Sequence, residues 1–334
     1  MKKPIVVIAV IVVIALVGFG VWYFANSAPT YSGPPETITL GMPLSITHAL
    51  IYVAEDRGLF TGNGLNVTAQ YYDASQNAVD AMKNGQYDIA LTSEYNIVIE
   101  AFKKENIGVL GVIDKNQATY VIARKDRGIE KISDLRGKKV GLTRGAVGEF
   151  HLGRFLNLEG MRLQDVILIN LVPDQRVNAL ADGRVDAILV TKIYLDQAEK
   201  RLGNNRLVWT SRKDQITYIV MASTNDWATR HPEAIRRLLK ALAQAAEYIT
   251  KNPASAQAIV QKRLNYDDAT MAALWGENQF ALSLDQSLVI AMKDEAQWMI
   301  VNNLTAEKTI PDFMRYIYLD GLQAVKPESV SIIR

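Results

Sequence analysis

The chain contains one stretch of itself twice. AVDAMKNGQYDIALTSEY, Ala78 to Tyr95, returns as RVNALADGRVDAILVTKI, Arg176 to Ile193, at a constant offset of 98 residues. Val79, Ala81, Gly85 and Asp88 recur as Val177, Ala179, Gly183 and Asp186. Each copy reads as a helix burying small and apolar side chains, then a glycine, which takes the left-handed C′ conformation at little cost, then an apolar strand. The flanking residues extend the match. In the first copy Thr37 to Met42 is a strand, the helix from Ala49 stops at Gly58, Leu65 to Tyr72 alternates as a strand, and Ser75 offers an N-cap to the repeated helix. In the second copy Lys138 to Thr143 is a strand, a helix ends at Gly160, and Val166 to Val172 is the next strand.

Strands and helices alternating at this spacing predict right-handed crossovers, a parallel sheet in each unit, and helices on both faces. The expected fold class is therefore α/β with two lobes, each a parallel or mixed sheet flanked by helices. Lobe 1 is expected over 37–118, and lobe 2 with a hinge strand over 119–216. The second hinge strand and the C-terminal helices, over 217–334, are expected to pack back on lobe 1. Ala118 to Asp126 and Gln215 to Ser223 are the two β-rich crossings, and two crossings restrain a hinge axis. In the tail, Ile235, Leu238, Leu239, Leu242 and Ala246 form a helical stripe that reads as a core face, and His231 before Pro232 reads as a turn residue.

Composition narrows the function. With 334 residues, 49% apolar and 22% charged, the chain has room for sizeable cores. Lys plus Arg is 37 and Asp plus Glu is 35; without Lys2 and Lys3 the balance is 35 against 35, and no basic stripe points to nucleic acid. There is no cysteine, which excludes disulfides, thiolate metal sites, thiol nucleophiles and a lipid-modified cysteine anchor. His48, His151 and His231 have no metal-ligand spacing, and no cofactor motif stands out. Pro4 to Ala25 carries no charge and is long enough to cross ~30 Å of hydrocarbon as a helix. Residues 1–27 are expected to be an uncleaved signal anchor, with a cleaved signal peptide and a buried helical hairpin as alternatives, and 28–36 a linker. Lys2 and Lys3 would then stay inside, Trp22 and Tyr23 would mark the outer interface, and the body would lie outside the cytoplasmic membrane.

Ligands in open parallel sheets bind beyond the carboxyl ends of the strands. The repeat explains itself on that basis: the shared residues pack two alike lobes, and the tips that differ, SEY against TKI, present unlike groups to one cleft. Asp88 and Asp186 are expected to bond backbone amides at the start of the third strand rather than a ligand. The candidate ligand-binding residues of lobe 1 are Ser45, Thr47 and His48, then Asp73, Ser75 and Gln76, then Ser93, Glu94 and Tyr95. Those of lobe 2 are Thr143, Arg144 and Gly145, then Asp174, then Thr191, Lys192 and Tyr194. The TRGAVGEF turn either aims backbone amides and Arg144 at an anion or is a capped turn. Glu94 and Lys192 are equivalent in the repeat, so they are expected to face each other, around a zwitterionic or amine-bearing solute or as an interlobe salt bridge. His48 either donates to a solute or is structural.

ITLGMPLSITHALIYVAEDRGLFTGNGLNV, AVDAMKNGQYDIALTS, ISDLRGKKVGLTRGAVGEFHLGRFLNLEGM and ADGRVDAILV resemble the exported solute-binding proteins of ABC importers. More narrowly they are similar to the nitrate, sulfonate, taurine and thiamine-precursor branch, from about Glu36 to about Asn265. The resemblance implies a type II periplasmic-binding fold, a monomeric body that closes on a small solute, and partners in a membrane permease and its ATPase subunit. One departure stands out: where the branch often has an aromatic, then Asn or Glu, then Pro, this chain has Thr191, Lys192 and Ile193, so solute identity does not transfer. A membrane-anchored sensor and a pyrimidine-precursor synthase are the rival expectations; no nucleophile, metal cluster or triad favours an enzyme.

Overall fold

The structure, a computed structural model, describes residues 31–117, 119–210 and 216–333. The apolar run of the expected anchor lies outside them, and among the described residues no helix is long and apolar enough to cross a membrane.

The chain begins with β1 (Glu36–Met42), α1 (Ala49–Asp56), α2 (Leu59–Gly62), β2 (Leu65–Tyr71), α3 (Ser75–Lys83), β3 (Ile89–Ser93), α4 (Glu94–Phe102) and β4 (Ile107–Asn116). It crosses to β5 (Tyr120–Arg124), β6 (Lys139–Leu142), α5 (Val147–Asn157), β7 (Ile167–Asn170), α6 (Pro173–Ala181), β8 (Ala187–Val190), α7 (Leu195–Leu202) and β9 (Arg206–Thr210). It returns through β10 (Thr217–Thr224) to α8 (Asn225–Arg230), α9 (Pro232–Lys251), α10 (Pro253–Leu264), α11 (Asp268–Trp275), β11 (Asn278–Gln279), α12 (Gln286–Val301) and α13 (Leu319–Val325). One sheet has the order β11-β4-β10-β3-β1-β2 and the other β7-β6-β8-β5-β9.

The repeat is visible in the pairing. β1 runs parallel between β2 and β3, as β6 does between β7 and β8. Gly41 lies opposite Ala90 and Gly141 opposite Ile188, which keeps the 98-residue offset in the third strand. The helix ends match as well. The amide of Gly85 donates to Met82 O and that of Gln86 to Ala81 O at 3.0 Å each, while Gly183 donates to Leu180 O at 3.1 Å and Arg184 to Ala179 O at 2.9 Å. Both glycines have φ +73°, the left-handed conformation such a helix stop needs.

Asp88 and Asp186 perform the backbone role expected of them. Asp88 Oδ2 accepts from Thr39 N and Thr39 Oγ1 at 2.7 Å, and Asp186 Oδ2 accepts from Lys139 N at 2.9 Å, fixing the third strand to the first in each lobe. Ser75 departs from expectation: it is the first residue of α3 rather than its cap, and its hydroxyl accepts from Asn96 Nδ2.

Of the parallel and mixed sheets expected, the structure has mixed ones. β10 runs antiparallel to both β3 and β4, and β5 antiparallel to β8 and β9. A strand arriving from the opposite lobe enters its sheet at the cleft edge, where the parallel strands end, so it must run against them. The C-terminal helices cover lobe 1. Ile235, Leu238, Leu239 and Leu242 of α9 are fully buried, with α9 against α1 and α13, and α12 packs on α4.

Gly85→Ala isolates the backbone cost of the repeated turn, because a Cβ there meets nothing within 4 Å. The variant is expected to lose about 1–2 kcal/mol in urea unfolding, with an unchanged m-value.

Candidate ligand-binding cleft

The carboxyl ends of β1, β2 and β3 face those of β6, β7 and β8, and the start of β10 and the end of β4 close the hinge side. The lobes touch. Phe150 of α5 lies 6.5 Å from the Tyr95 ring of α4 and edge-on, at 5.4 Å and 85°, to Trp298 of α12. Gly153 permits that approach, since a Cβ there would fall 2.5 Å from the Trp298 ring. Thr119, in the first crossing, is 3.4 Å from His151 Nδ1.

Several candidate residues are committed to the loops that carry them. Ser45 Oγ accepts from Thr47 N at 3.3 Å and Thr47 Oγ1 at 3.0 Å, forming the turn into α1. His48 is buried, and its Nδ1–H donates to Pro43 O at 2.9 Å; burial keeps it neutral, its pKa lowered to about 4. Gln76 turns to Asp80 and Glu100, while Ser75, Asn96 and Thr92 form a hydrogen-bonded chain under the β3 tip. Asp73 and Thr191 are exposed, and Ser93 is buried at the head of α4.

In lobe 2 the TRGAVGEF turn is a capped turn whose anion is internal. Glu149 accepts from Arg144 Nε at 2.9 Å and from Gly145 N at 2.7 Å, occupying the place anticipated for a solute. Thr143 accepts from Arg176, whose guanidinium also donates to Leu171 O and Leu189 O; burial lowers the Arg176 pKa to about 10. Tyr194 Oη donates to Asp174 at 2.7 Å, and burial raises its pKa.

Glu94 and Lys192 do not pair. Lys192 Nζ sits 5.5 Å from the Tyr120 ring centroid, on the first hinge strand. Glu94 is fully buried beside Glu295 of α12; among the described residues both its carboxylate oxygens and Glu295 Oε2 lack a hydrogen-bond partner. Burial pushes the Glu94 pKa up to about 8, while burial and then the Glu94 charge hold Glu295 well above the usual range. The equivalence of positions 94 and 192 holds for backbone alone, because α12 reaches lobe 1 and has no counterpart in lobe 2.

A second wall was not foreseen. Arg263 of α10 donates to Tyr71 Oη at 2.7 Å, lies over the Tyr52 and Tyr71 rings, and pairs with Glu55 at 3.0 Å. α11 packs on residues 192–194, and Tyr266 acts on Tyr194 across the cleft. Arg263 lies 192 residues from Tyr71, so no local spacing could announce this wall. A depression of about 540 Å³, lined by Lys104, Asn106, Asn225 and Arg315, is at the other end of lobe 1, where β4 begins.

A family model described as NMT1/THI5 like matches residues 45–256, more than half of the chain. The chain belongs to the NMT1/THI5-like family. A binding protein of Brucella abortus is 25% identical over 66% of this NMT1/THI5-like chain and 68% of its own length. The 4-amino-5-hydroxymethyl-2-methylpyrimidine phosphate synthase of Aspergillus parasiticus is 23% identical over 63% of this chain and 65% of its own. Among solved structures, the alkanesulfonate-binding protein SsuA of Xanthomonas axonopodis pv. citri, bound to MOPS, superposes with TM-score 0.73 at 15% identity, covering 86% of this chain and 99% of SsuA. That likeness shows the periplasmic-binding α/β fold.

A carboxyl whose folded pKa lies above its unfolded value holds its proton in the native state, so stability falls as pH rises from about 4.5 to about 8 for Glu94. Glu94→Gln removes that loss. It is expected to raise stability by about 4 kcal/mol at pH 8 and to change little at pH 4, read by thermal unfolding across pH.

Proposed function

We propose that this protein is the extracytoplasmic solute-binding component of an ABC importer, which closes its lobes on a small polar or anionic organic solute and delivers it to a membrane permease driven by an ATPase. The observation that carries this reading is the opposition of two sets of parallel strand ends across one cleft, joined by two crossings. Membership of the NMT1/THI5-like family and the fold shared with SsuA support it. The uncharged run from Pro4 to Ala25 would hold the body at the outer face of the cytoplasmic membrane.

The cleft rim favours an anion with an apolar part. Leu44, Tyr71 and Val172 are exposed at strand ends, Arg263 lies over the Tyr71 ring, and Lys192, over the Tyr120 ring, makes no ion pair among the described residues. Large apolar side chains left open around a few polar groups are the usual make-up of a small-molecule site. The SsuA likeness puts alkanesulfonates first in a trial panel with taurine, nitrate, carboxylates and aminopyrimidines.

A second reading, conversion of a pyrimidine precursor, draws on the Aspergillus synthase. This chain has no cysteine, so thiol chemistry is not open to it, and product formation in an aminopyrimidine incubation followed by NMR would decide for that reading.

Calorimetry on the full chain is expected to find one-to-one binding by a member of the panel. Lys192→Ala is expected to weaken an anionic ligand about tenfold, the loss of one charge-assisted hydrogen bond. Unchanged affinity in that variant would remove Lys192 from the site, and a panel without any binder would overturn the reading.

A further inference from the structure

Glu94 and Glu295 are two adjacent carboxyls buried without a counter-ion. The groups that act on them directly are acidic or neutral: α4 adds Tyr95, α12 adds Asp294, and β10 adds Tyr218, while Glu149 of α5 faces them through Tyr95. Cations stand one group further out: Arg154 of α5 is 3.9 Å from Asp294, Arg144 pairs with Glu149, and Lys115 of β4 lies over the Tyr218 ring. His151, also on α5 and fully buried, is kept neutral by that burial. No cation appears among the groups acting on either carboxyl. Two unpaired charges in such a place are costly, so the pair keeps protons instead.

The other lobe reaches the helices that carry the pair. Phe150 packs against Tyr95, the residue after Glu94, and Trp298, one helical turn beyond Glu295. It therefore bridges α4 and α12, and withdrawal of lobe 2 would take Phe150 from both.

We propose that closure of the cleft is proton-linked: the closed form holds the Glu94–Glu295 pair protonated while Phe150 bridges α4 and α12, and ionising the pair favours the open form and release of solute. The regulatory meaning rests on the solute-binding reading; the conformational claim does not. Hydration lowers a carboxyl toward its ordinary value near 4, so protons favour the closed form and rising pH favours the open one. Each proton taken up on closure changes the closed-to-open ratio by up to about tenfold per pH unit between the open and closed values.

A chain without cysteine allows two thiols to be introduced without background labelling. Asn66→Cys in lobe 1 and Gln164→Cys in lobe 2, both exposed, would carry spin labels for distance measurement on the full chain in detergent without added solute, from pH 5 to pH 9. The expected result is a short distance at pH 5–7 and at least a tenfold fall in the closed-to-open ratio between pH 7 and pH 9, with circular dichroism unchanged. The E94Q/E295Q double variant is expected to stay closed throughout, and Phe150→Ala to open at lower pH. A distance that does not move with pH, an equal shift in the double variant, or unfolding in place of opening would overturn the proposal. A chain that opens with pH yet binds no solute of the panel would sink the transport reading alone.

Discussion

Two left-handed glycines and two aspartates fix the third strand of each lobe, and the freedom of the cleft loops follows from that attachment. Gly85 and Gly183 end a helix in the same pair of backbone bonds, and Asp88 and Asp186 then fasten the incoming strand to its neighbour. Because the scaffold is fixed before the strand tips begin, the residues beyond Thr92 and Val190 are free to differ. One tip carries a buried acid and the other a lysine laid on an aromatic ring.

The repeat was legible because its signal is local: a glycine stop, an aspartate three residues on, and an apolar run. Which strands run antiparallel was not, since nothing within Thr217–Thr224 states which way its neighbours run; direction comes from where the chain has been. The loops at the strand ends were readable from the strand pattern, but the partners of their side chains lie far along the chain. Glu94 meets Glu295, 201 residues on, and Tyr71 meets Arg263, 192 residues on, through helices that only the tail supplies. Glu149 was closer to readable. An acid four residues after Gly145, in the first turn of α5, is positioned to cap the turn itself.

Charge is sorted across the cleft by burial. The hinge side holds neutralised acids, Glu94, Glu295 and Asp114, the last raised to about 7 by its own burial. Lys192, half buried over the Tyr120 ring, and Arg263, more than a third exposed, keep charges that water screens while leaving them available. Glu149 meanwhile pairs with Arg144 and Glu55 with Arg263, so among the described residues the unpaired positive charge of the rim is that of Lys192.

The place of β10 in its sheet has a consequence for how the molecule is assembled. Residues 217–224 lie between β3 and β4, in the middle of lobe 1, whereas the sheet of lobe 2 is complete within residues 120–210. A chain emerging from its amino end can finish the later half while the earlier half still has a slot to fill. The open flanks of β3 and β4 stay unpaired until the intervening hundred or so residues have been made. The second-written half is thus the first able to fold, and the strand that leaves it completes the other.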